Sequence, residues 1–551
     1  MSDSVDVPVL IVGAGPVGVT IANLLGTYGT RTLIIDRSPE VLDFPRAVGL
    51  DDEAMRTFQA VGLADEMLLD MIQNVPMRMY TANRKCFAEI LPGTREFGWF
   101  RRNLFSQPLG EVTLRRGLAR FPHVELRLGV ELTDLTQDDE GVTATLRGAD
   151  GASSQVRARY VVGCDGGRST VREGILKVPY VGKTHPAKWV VIECDQDPLD
   201  APYTALHCEP KRPYVCLRLP YGLRRWEFML FPGEDGEQML APEKVRELLG
   251  HHVADPDRIN VIRARVYTHN SRVAAAFVTG RVCLAGDAAH ITPPWIGQGL
   301  NAGLRDAFNL AWKLSWILQG QLKPSQLSSY HDERHAHVKA MIDLADTFGA
   351  VLSQRNRALA WLRDRFFLSI KDIPRVRDYV LQMKFKPMPR FSRGVVRESS
   401  QAAHRELVGR MFVQPNVELE RGHTRRLDDV VGPRFALLSW RCDALAEASP
   451  ALRQQLKRLG CVHLIGVRSR SAAIEKGSPM PPQLSGTVVQ DLENALHHWF
   501  SGKGVDWVLI RPDRFVAAVG TCAEAERELG GFCADVLPEW RSDPAPAQAA
   551  A

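Results

Sequence analysis

The ten cysteines of this 551-residue chain never form a C-x-x-C pair, which argues against a zinc ribbon, a thioredoxin-type redox pair and a disulfide scaffold. Reduced, mostly buried thiols are expected. No apolar stretch reaches the roughly 18 residues that cross a bilayer, so no membrane partner is expected. The N-terminal Met1-Ser2-Asp3-Ser4-Val5-Asp6 lacks the basic region of a secretory signal, and a cytoplasmic location follows as the expectation. Charge of one sign is scarce: 69 Lys and Arg against 64 Asp and Glu leave a net +5, with the two signs interspersed. Such a surface offers no basic stripe for nucleic acid. What the chain has is length for two or three domains and 45% hydrophobic residues to fill their cores.

The first chemical signal is a short apolar run, 9–12, followed by Gly13-Ala14-Gly15-Pro16-Val17-Gly18 and a helical pattern over 17–25. This is the strand–loop–helix order of a βαβ dinucleotide fold. Gly13 permits the tight turn, Gly15 lets backbone approach a pyrophosphate, Gly18 allows close helix packing, and the helix start offers unpaired N–H groups to phosphates. A second strand, 31–35, ends at Asp36, 18 residues beyond Gly18. That is close to the roughly 20 expected for a carboxylate bonding ribose hydroxyls, and it disfavours a 2′-phosphate, so FAD or NAD fits and NADP does not.

Two further strand ends carry polar groups. The run 158–163 leads to Asp165-Gly166-Gly167-Arg168-Ser169-Thr170-Val171-Arg172, a turn suited to cofactor phosphates and ribose, although an ordinary D-G turn would look the same. The run 281–285 ends at Gly286-Asp287, followed by Pro293, Pro294 and Gly297-Gln298-Gly299, with a helix from about 301 to 317. Asp287 can bond ribityl hydroxyls, the prolines stiffen a loop, and the helix start places positive potential where negative charge gathers on a reduced flavin.

Between these motifs, from 188 to 267, short runs separated by proline and glycine turns predict an antiparallel sheet. The expected organisation is α/β: a Rossmann-like FAD-binding domain over 1–180 and 270–392, an inserted antiparallel substrate-covering sheet over 181–269, and a C-terminal α/β domain over 393–541. A proline- and alanine-rich tail, 542–551, is expected to be disordered.

The three motifs at Gly13, Asp165 and Asp287, in this order and spacing, resemble the FAD-dependent aromatic hydroxylases, the single-component flavoprotein monooxygenases. Phe44-Pro45-Arg46-Ala47-Val48-Gly49-Leu50-Asp51-Asp52-Glu53-Ala54, Glu96-Phe97-Gly98-Trp99, Arg101-Arg102-Asn103, Arg212-Pro213-Tyr214-Val215, Glu227-Phe228-Met229, Tyr267-Thr268-His269-Asn270 and Lys384-Phe385-Lys386-Pro387-Met388-Pro389 are similar to the branch acting on 3-(3-hydroxyphenyl)propanoate. The similarity runs from about 7 to 518. It implies hydroxylation of that acid, and of 3-hydroxycinnamate, ortho to the phenol through a flavin C4a-hydroperoxide, with NADH as reductant and O2 as co-substrate. It also implies that the C-terminal domain is thioredoxin-like, redox silent without C-x-x-C, and structural or a homodimer contact.

Carried over residue by residue, the resemblance assigns Gly13, Ala14, Gly15, Pro16 and Gly18 to the pyrophosphate and Asp36 with Arg37 to the adenosine ribose. It assigns Arg46 and Gln107 to the flavin side, and Asp165, Gly286, Asp287, Gly299, Leu300 and Asn301 to the rest of the FAD site. The chain departs from the branch at Pro294, in place of Val, and at Ile296-Gly297, in place of Gln-Gly, which leaves substrate range open.

For the carboxylate of a small aromatic acid the candidates are Arg224, Arg225, Arg212 and the Arg101-Arg102 pair, since a guanidinium can clamp a carboxylate bidentately. For proton transfer they are His269 and Tyr267, while His290, close behind Asp287, is expected to fix its loop. His331 and His335 share a helix face, but a third convergent ligand is not evident and no metal is expected. Alternatives at this stage are a monooxygenase of another phenol (resorcinol or chlorophenol type), a flavin reductase or dehydrogenase, and a non-hydroxylating flavin-binding regulator. A reductase would bring a second glycine-rich nucleotide motif, and no convincing one is present.

Overall fold

In the computed structural model the apolar run Val7–Val12 is a central strand, with Val9, Leu10 and Ile11 fully buried. It pairs in parallel with Thr32–Asp36 on one side and Ser153–Gly163 on the other. The sheet continues to Val124–Leu128 beyond the second strand and to Val282–Leu284 and Val278–Thr279 beyond the third. Ser153–Gly163 is long enough to pair along another part of its length with Val142–Gly148, which carries Val130–Gln137. Residues 6–399, 401–419, 422–468 and 485–539 are described; the tail 542–551, expected to be disordered, lies outside them.

The turn after the first strand is shaped by three glycines. Gly13 sits at φ 106°, and a Cβ there would lie 2.4 Å from the Cys164 carbonyl oxygen. A Cβ on Gly18 would lie 2.0 Å from the Gly13 carbonyl oxygen, so the helix Pro16–Thr27 packs against its own loop only because that residue has no side chain. Pro16 suits the first helical turn, where its missing N–H has no partner to lose.

A second sheet of eight strands is mostly antiparallel, in the order His290–Ile291, Asn260–Ala274, Tyr180–Asp195, Arg224–Met229, Tyr214–Arg218, Thr204–His207, Met77–Tyr80, Cys86–Ile90. Its last two strands come from the segment that sequence reading attached to the nucleotide domain, and Thr204–His207 joins Met77–Tyr80 in parallel. Strand periodicity gives this sheet two faces. Val190, Ile192, Cys194, Tyr214, Cys216, Trp226 and Phe228 pack outward against Val245, Leu248 and Leu249 of the helix Pro242–Gly250. Trp189, Val191, Val215, Leu217, Arg225, Glu227, Tyr267 and His269, at alternate positions, line a cavity instead.

The chain divides into two compact units, 1–311 with 330–389 and 312–329 with 390–551. Both sheets above belong to the first unit. The second is built on a seven-stranded sheet in which Thr487–Asp491, Val462–Arg468 and Ala436–Trp440 are parallel, and Trp507–Ile510 and Val516–Gly520 continue it in antiparallel fashion. Leu438, Leu464, Val489, Val508 and Ile510 fill its core, each fully buried aliphatic contributing roughly 1.5–3 kcal/mol. Among the described residues no helix is long and apolar enough to cross a membrane.

Candidate functional site

One cavity of about 580 Å³ runs through the first unit from the glycine loop to the inner face of the second sheet. Gly13, Gly15 and Pro16 line one end together with Asp36 and Arg37, while Ala14 and Gly18 stand behind them. The Asp36 carboxylate is fixed at the mouth of the loop: it accepts from the backbone N–H of Ala14 at 2.7 Å and from that of Ser38 at 2.7 Å. A Cβ placed on Gly15 would meet nothing within 4 Å, so the backbone there faces open cavity. Arg115, which sequence reasoning missed, donates to the Ala14 carbonyl at 3.0 Å and pairs with buried Glu111 at 3.2 Å. The spacing of Glu111 and Arg115 on the helix Gln107–Gly117 was the available signal.

The middle of the cavity brings the three motifs together. Gln107 is buried and its side-chain oxygen accepts from the backbone N–H groups of Arg46 and Ala47 at 3.0 and 2.7 Å, which orients the 45–48 segment. The Arg46 guanidinium meets the Asp287 carboxylate at 3.0 Å. The Asp165 carboxylate is committed to its own turn, accepting from the Ser169 hydroxyl at 2.5 Å and the Val171 N–H at 3.0 Å. Asn301 is likewise a brace rather than a free donor: it bonds the Gly49 and Gly297 carbonyls and accepts from the Asp51 N–H. Gly286, Gly299 and Leu300 line the wall. His290 lies outside the lining; its Nε2 is 2.6 Å from Asp306, which also pairs with Arg334 and accepts from the Gly286 N–H.

The far end is enclosed by aromatic rings. His269 stacks on Trp189 with centroids 5.4 Å apart, and Trp295 meets both edge-on. Burial pushes the His269 imidazole down to about 4 and the Tyr267 phenol up, so at neutral pH His269 is uncharged and Tyr267 keeps its proton.

Of the carboxylate candidates, Arg224 and Arg212 do not line the cavity. Arg224 is on the outer face of its strand, 3.3 Å from Asp197 and bonded to the Leu199 carbonyl; Arg212 forks onto Glu234 at 3.0 and 2.6 Å. Arg225 faces the cavity but is held by Glu193 at 2.5 Å and by the Pro45 carbonyl. Arg101 lies 3.7 Å from Asp52 and donates to the Gln382 carbonyl. Arg102 is different. Its Nε donates to the Val75 carbonyl at 3.1 Å, no carboxylate pairs with it among the described residues, and burial alone pushes its guanidinium down to about 10.

Part of the cavity wall is a charge cluster that sequence reading did not find. Asp51, Asp52 and Glu53 are buried at the start of the helix Asp52–Ala60, with ligand atoms within 4.8 Å of one another. Arg305 pairs with Asp51 and, at 2.7 Å, with Glu53, while Lys386 pairs with Asp51 at 2.8 Å and Glu53 at 3.5 Å. Those cations neutralise the carboxylates that a metal would need. Asp52 has the weaker partner, and burial, reinforced by the Asp51 charge, pushes its carboxyl up to about 7. The folded protein therefore holds a proton there that the unfolded chain releases near pH 4. The resulting stabilisation is complete below that pH and is lost as pH rises through 7. Asp52→Asn is expected to flatten the fall in Tm between pH 5 and 8; parallel wild-type and variant profiles would show that Asp52 does not titrate there.

The histidines at 331, 335 and 337 do not converge on a metal. His331 Nδ1 accepts from the Phe277 N–H, His335 packs against Phe277, and His337 meets the Pro387 carbonyl and Arg334.

Residues 6–345 match the FAD binding domain family, and residues 409–535 match the HcaD C-terminal domain family. A 3-(3-hydroxy-phenyl)propionate/3-hydroxycinnamic acid hydroxylase of Burkholderia cenocepacia (strain HI2424) is 53% identical over 510 residues, covering 93% of each chain. A protein of the same name from Escherichia coli (strain K12) is 44% identical over 512 residues, covering 93% of this chain and 91% of its own. Among solved structures, the flavin-dependent monooxygenase PieE, in complex with FAD and substrate, superposes with a TM-score of 0.79 at 23% identity, covering 97% of this chain and 99% of that one. At that identity the likeness is one of fold.

Proposed function

This chain belongs to the family of FAD-dependent aromatic hydroxylases built on the FAD binding domain, and on that premise we propose that it hydroxylates 3-(3-hydroxyphenyl)propanoate and 3-hydroxycinnamate ortho to the phenol. The reaction consumes NADH, a proton and O2 and yields the 2,3-dihydroxyphenyl acid, NAD⁺ and water. The relatives' names support the substrate, and Arg102 is the observation in this chain that carries it: a half-buried guanidinium with no acidic partner among the described residues, at the wall of a largely apolar cavity, suits an aromatic acid.

The cavity fits FAD. Gly15 leaves its backbone open to a pyrophosphate, the Asp36 carboxylate at the mouth of the glycine loop suits ribose hydroxyls, and Gly297, at φ 64° with nothing within 4 Å of a Cβ, leaves room beside a ring. When bound, FAD supplies electron transfer from NADH and activation of O2. The residues of the chain do the rest. Trp189 and Trp295 keep water from the far end, and the prolines at 293 and 294 hold that loop. Arg102 clamps the carboxylate, which fixes the ring carbon to be hydroxylated. Neither Tyr267 nor neutral His269 is a strong base at neutral pH, so both serve as hydrogen-bond partners of the phenol. Burial raises the proton affinity of two carboxyls that line the cavity, Asp52 and Glu227, which suits either of them to take up the proton leaving the phenol.

We read the C-terminal sheet as thioredoxin-like, with three parallel strands continued by two antiparallel ones and the helices Pro450–Arg458 and Ala525–Val536 packed together.

The test is NADH oxidation in air by the FAD-loaded protein, with and without 3-(3-hydroxyphenyl)propanoate, with product and hydrogen peroxide measured together. Dihydroxylated product matching NADH consumed is the expected result. Stimulation that yields mostly peroxide would mark the acid as a pseudo-substrate, and no stimulation would redirect the reading to another phenol.

A further inference from the structure

The C-terminal unit holds a pair of cysteines that the missing C-x-x-C motif conceals. Ser439 stands opposite Trp507 in the antiparallel register of their strands, and Trp507 stands opposite Gly520 in the next, so the chain segments leaving Trp440 and Gly520 emerge at the same end of the strands. Asp506 joins them there. Its carbonyl accepts from the Trp440 N–H at 2.7 Å, its N–H donates to the Gly520 carbonyl at 2.8 Å, and its carboxylate accepts from the Cys522 N–H at 2.9 Å. Two residues past each strand end lie Cys442 and Cys522, and their sulfurs are 2.7 Å apart across 80 residues of chain. Both are half-buried, whereas Cys194, Cys208, Cys216, Cys283 and Cys533 are buried. A small oxidant can therefore reach this pair.

We propose that Cys442 and Cys522 form a redox-active dithiol that hydrogen peroxide, or another small hydroperoxide, converts to a disulfide. The Cys522 thiolate attacks one peroxide oxygen, the O–O bond breaks, and the departing hydroxide takes a proton to become water. Cys522 is left as a sulfenic acid. The Cys442 sulfur then attacks the Cys522 sulfur, the S–O bond breaks, and the hydroxyl leaves as a second water with the proton from Cys442. Two thiols are oxidised by two electrons, peroxide is reduced to two waters, and an external dithiol reverses the step by exchange.

The roles follow from the surroundings. The hydrogen bond shared by the sulfurs favours a thiolate at Cys522 and holds the proton on Cys442, although burial and the charge of Asp506 act against the thiolate. Cys522 also opens the helical turn 522–524 under a Thr521–Glu524 capping box, which holds its backbone in place. Cys442 follows the strand Ala436–Trp440 and is held through its own contact with the Asp506 carbonyl at 3.7 Å. This inference does not depend on the hydroxylase reading, since the oxidant can be added from outside.

The experiment uses the full-length, FAD-loaded protein, reduced, freed of reductant and titrated with hydrogen peroxide, with remaining thiols alkylated and peptides identified by mass spectrometry. The expected result is a linked Cys442–Cys522 peptide and the loss of two alkylatable thiols, restored by dithiothreitol, while exposed Cys86 remains alkylated. In Cys442→Ser the link is lost and Cys522 is captured as a dimedone adduct. If peroxide modifies Cys86 first and both members of the pair stay alkylatable in the wild-type protein, the proposal is overturned.

Discussion

Replacing Arg102 with methionine is expected to lower kcat/KM for 3-(3-hydroxyphenyl)propanoate about 30- to 150-fold, chiefly through KM. A charge-assisted, bidentate contact contributes about 2–3 kcal/mol, and every 1.4 kcal/mol is about tenfold. The loss should fall on the acid and not on its methyl ester, because the ester has no charge for the guanidinium to pair with. Arg102→Lys should recover part of the loss, since an ammonium keeps the charge without the planar fork. The methionine substitution should change Tm little, because the loss of the donor to the Val75 carbonyl offsets the relief of a desolvated cation. The folded protein already bears the desolvation cost of this cation, visible in its lowered proton affinity, and methionine removes that cost. Loss of function with retained stability separates a ligand-binding residue from a structural one. Equal losses for acid and ester would refute the clamp.

Arg305→Met is expected to have the largest effect on stability, about 3–5 kcal/mol, read as a fall of several degrees in the Tm of the FAD-free protein. Arg305 is buried and forks onto Asp51 and Glu53; with Lys386 it lowers both carboxyls despite burial, Asp51 strongly. Without it Lys386 alone faces two buried carboxylates. Asp51 also caps the helix Asp52–Ala60, accepting from the Ala54 N–H at 3.0 Å, so the damage reaches the helix start. The pH dependence reinforces this reading. Depressed carboxyls contribute stability above their unfolded values near pH 4 and lose it as pH falls through their folded ones, and the variant should lack that acid-side loss. An unchanged Tm at neutral pH would mean that water or a rearrangement satisfies the carboxylates.

The parts of this protein legible in its sequence are local ones. A buried strand, three glycines and a helix lie within a span of 21 residues, so backbone sterics and the order of elements suffice to place the glycine loop, and Asp36 follows at a spacing set by one helix. The turn at Asp165 and the loop after Gly286 are local in the same sense, although Asp165 and Asn301 spend their bonds on the turn and the wall that frame the site. The sheet over 188–267 is also legible as alternating runs, but its faces are not. Arg224 and Arg225 are neighbours of identical chemistry, and only the register against Tyr180–Asp195 and Tyr214–Arg218 turns the second inward and the first outward.

Pairings distant along the chain were decided by tertiary structure alone. Met77–Tyr80 joins a sheet formed more than a hundred residues later, Asp51 meets Arg305 and Lys386 at separations of 254 and 335 residues, and Cys522 meets Cys442 across 80. A spacing rule sees a pair only when one element's geometry carries both members. These pairs are joined by the burial of apolar faces, which is nondirectional, and what the packed faces bring together, a guanidinium beside an apolar cavity or two thiols at one end of a sheet, exists only once the faces have met.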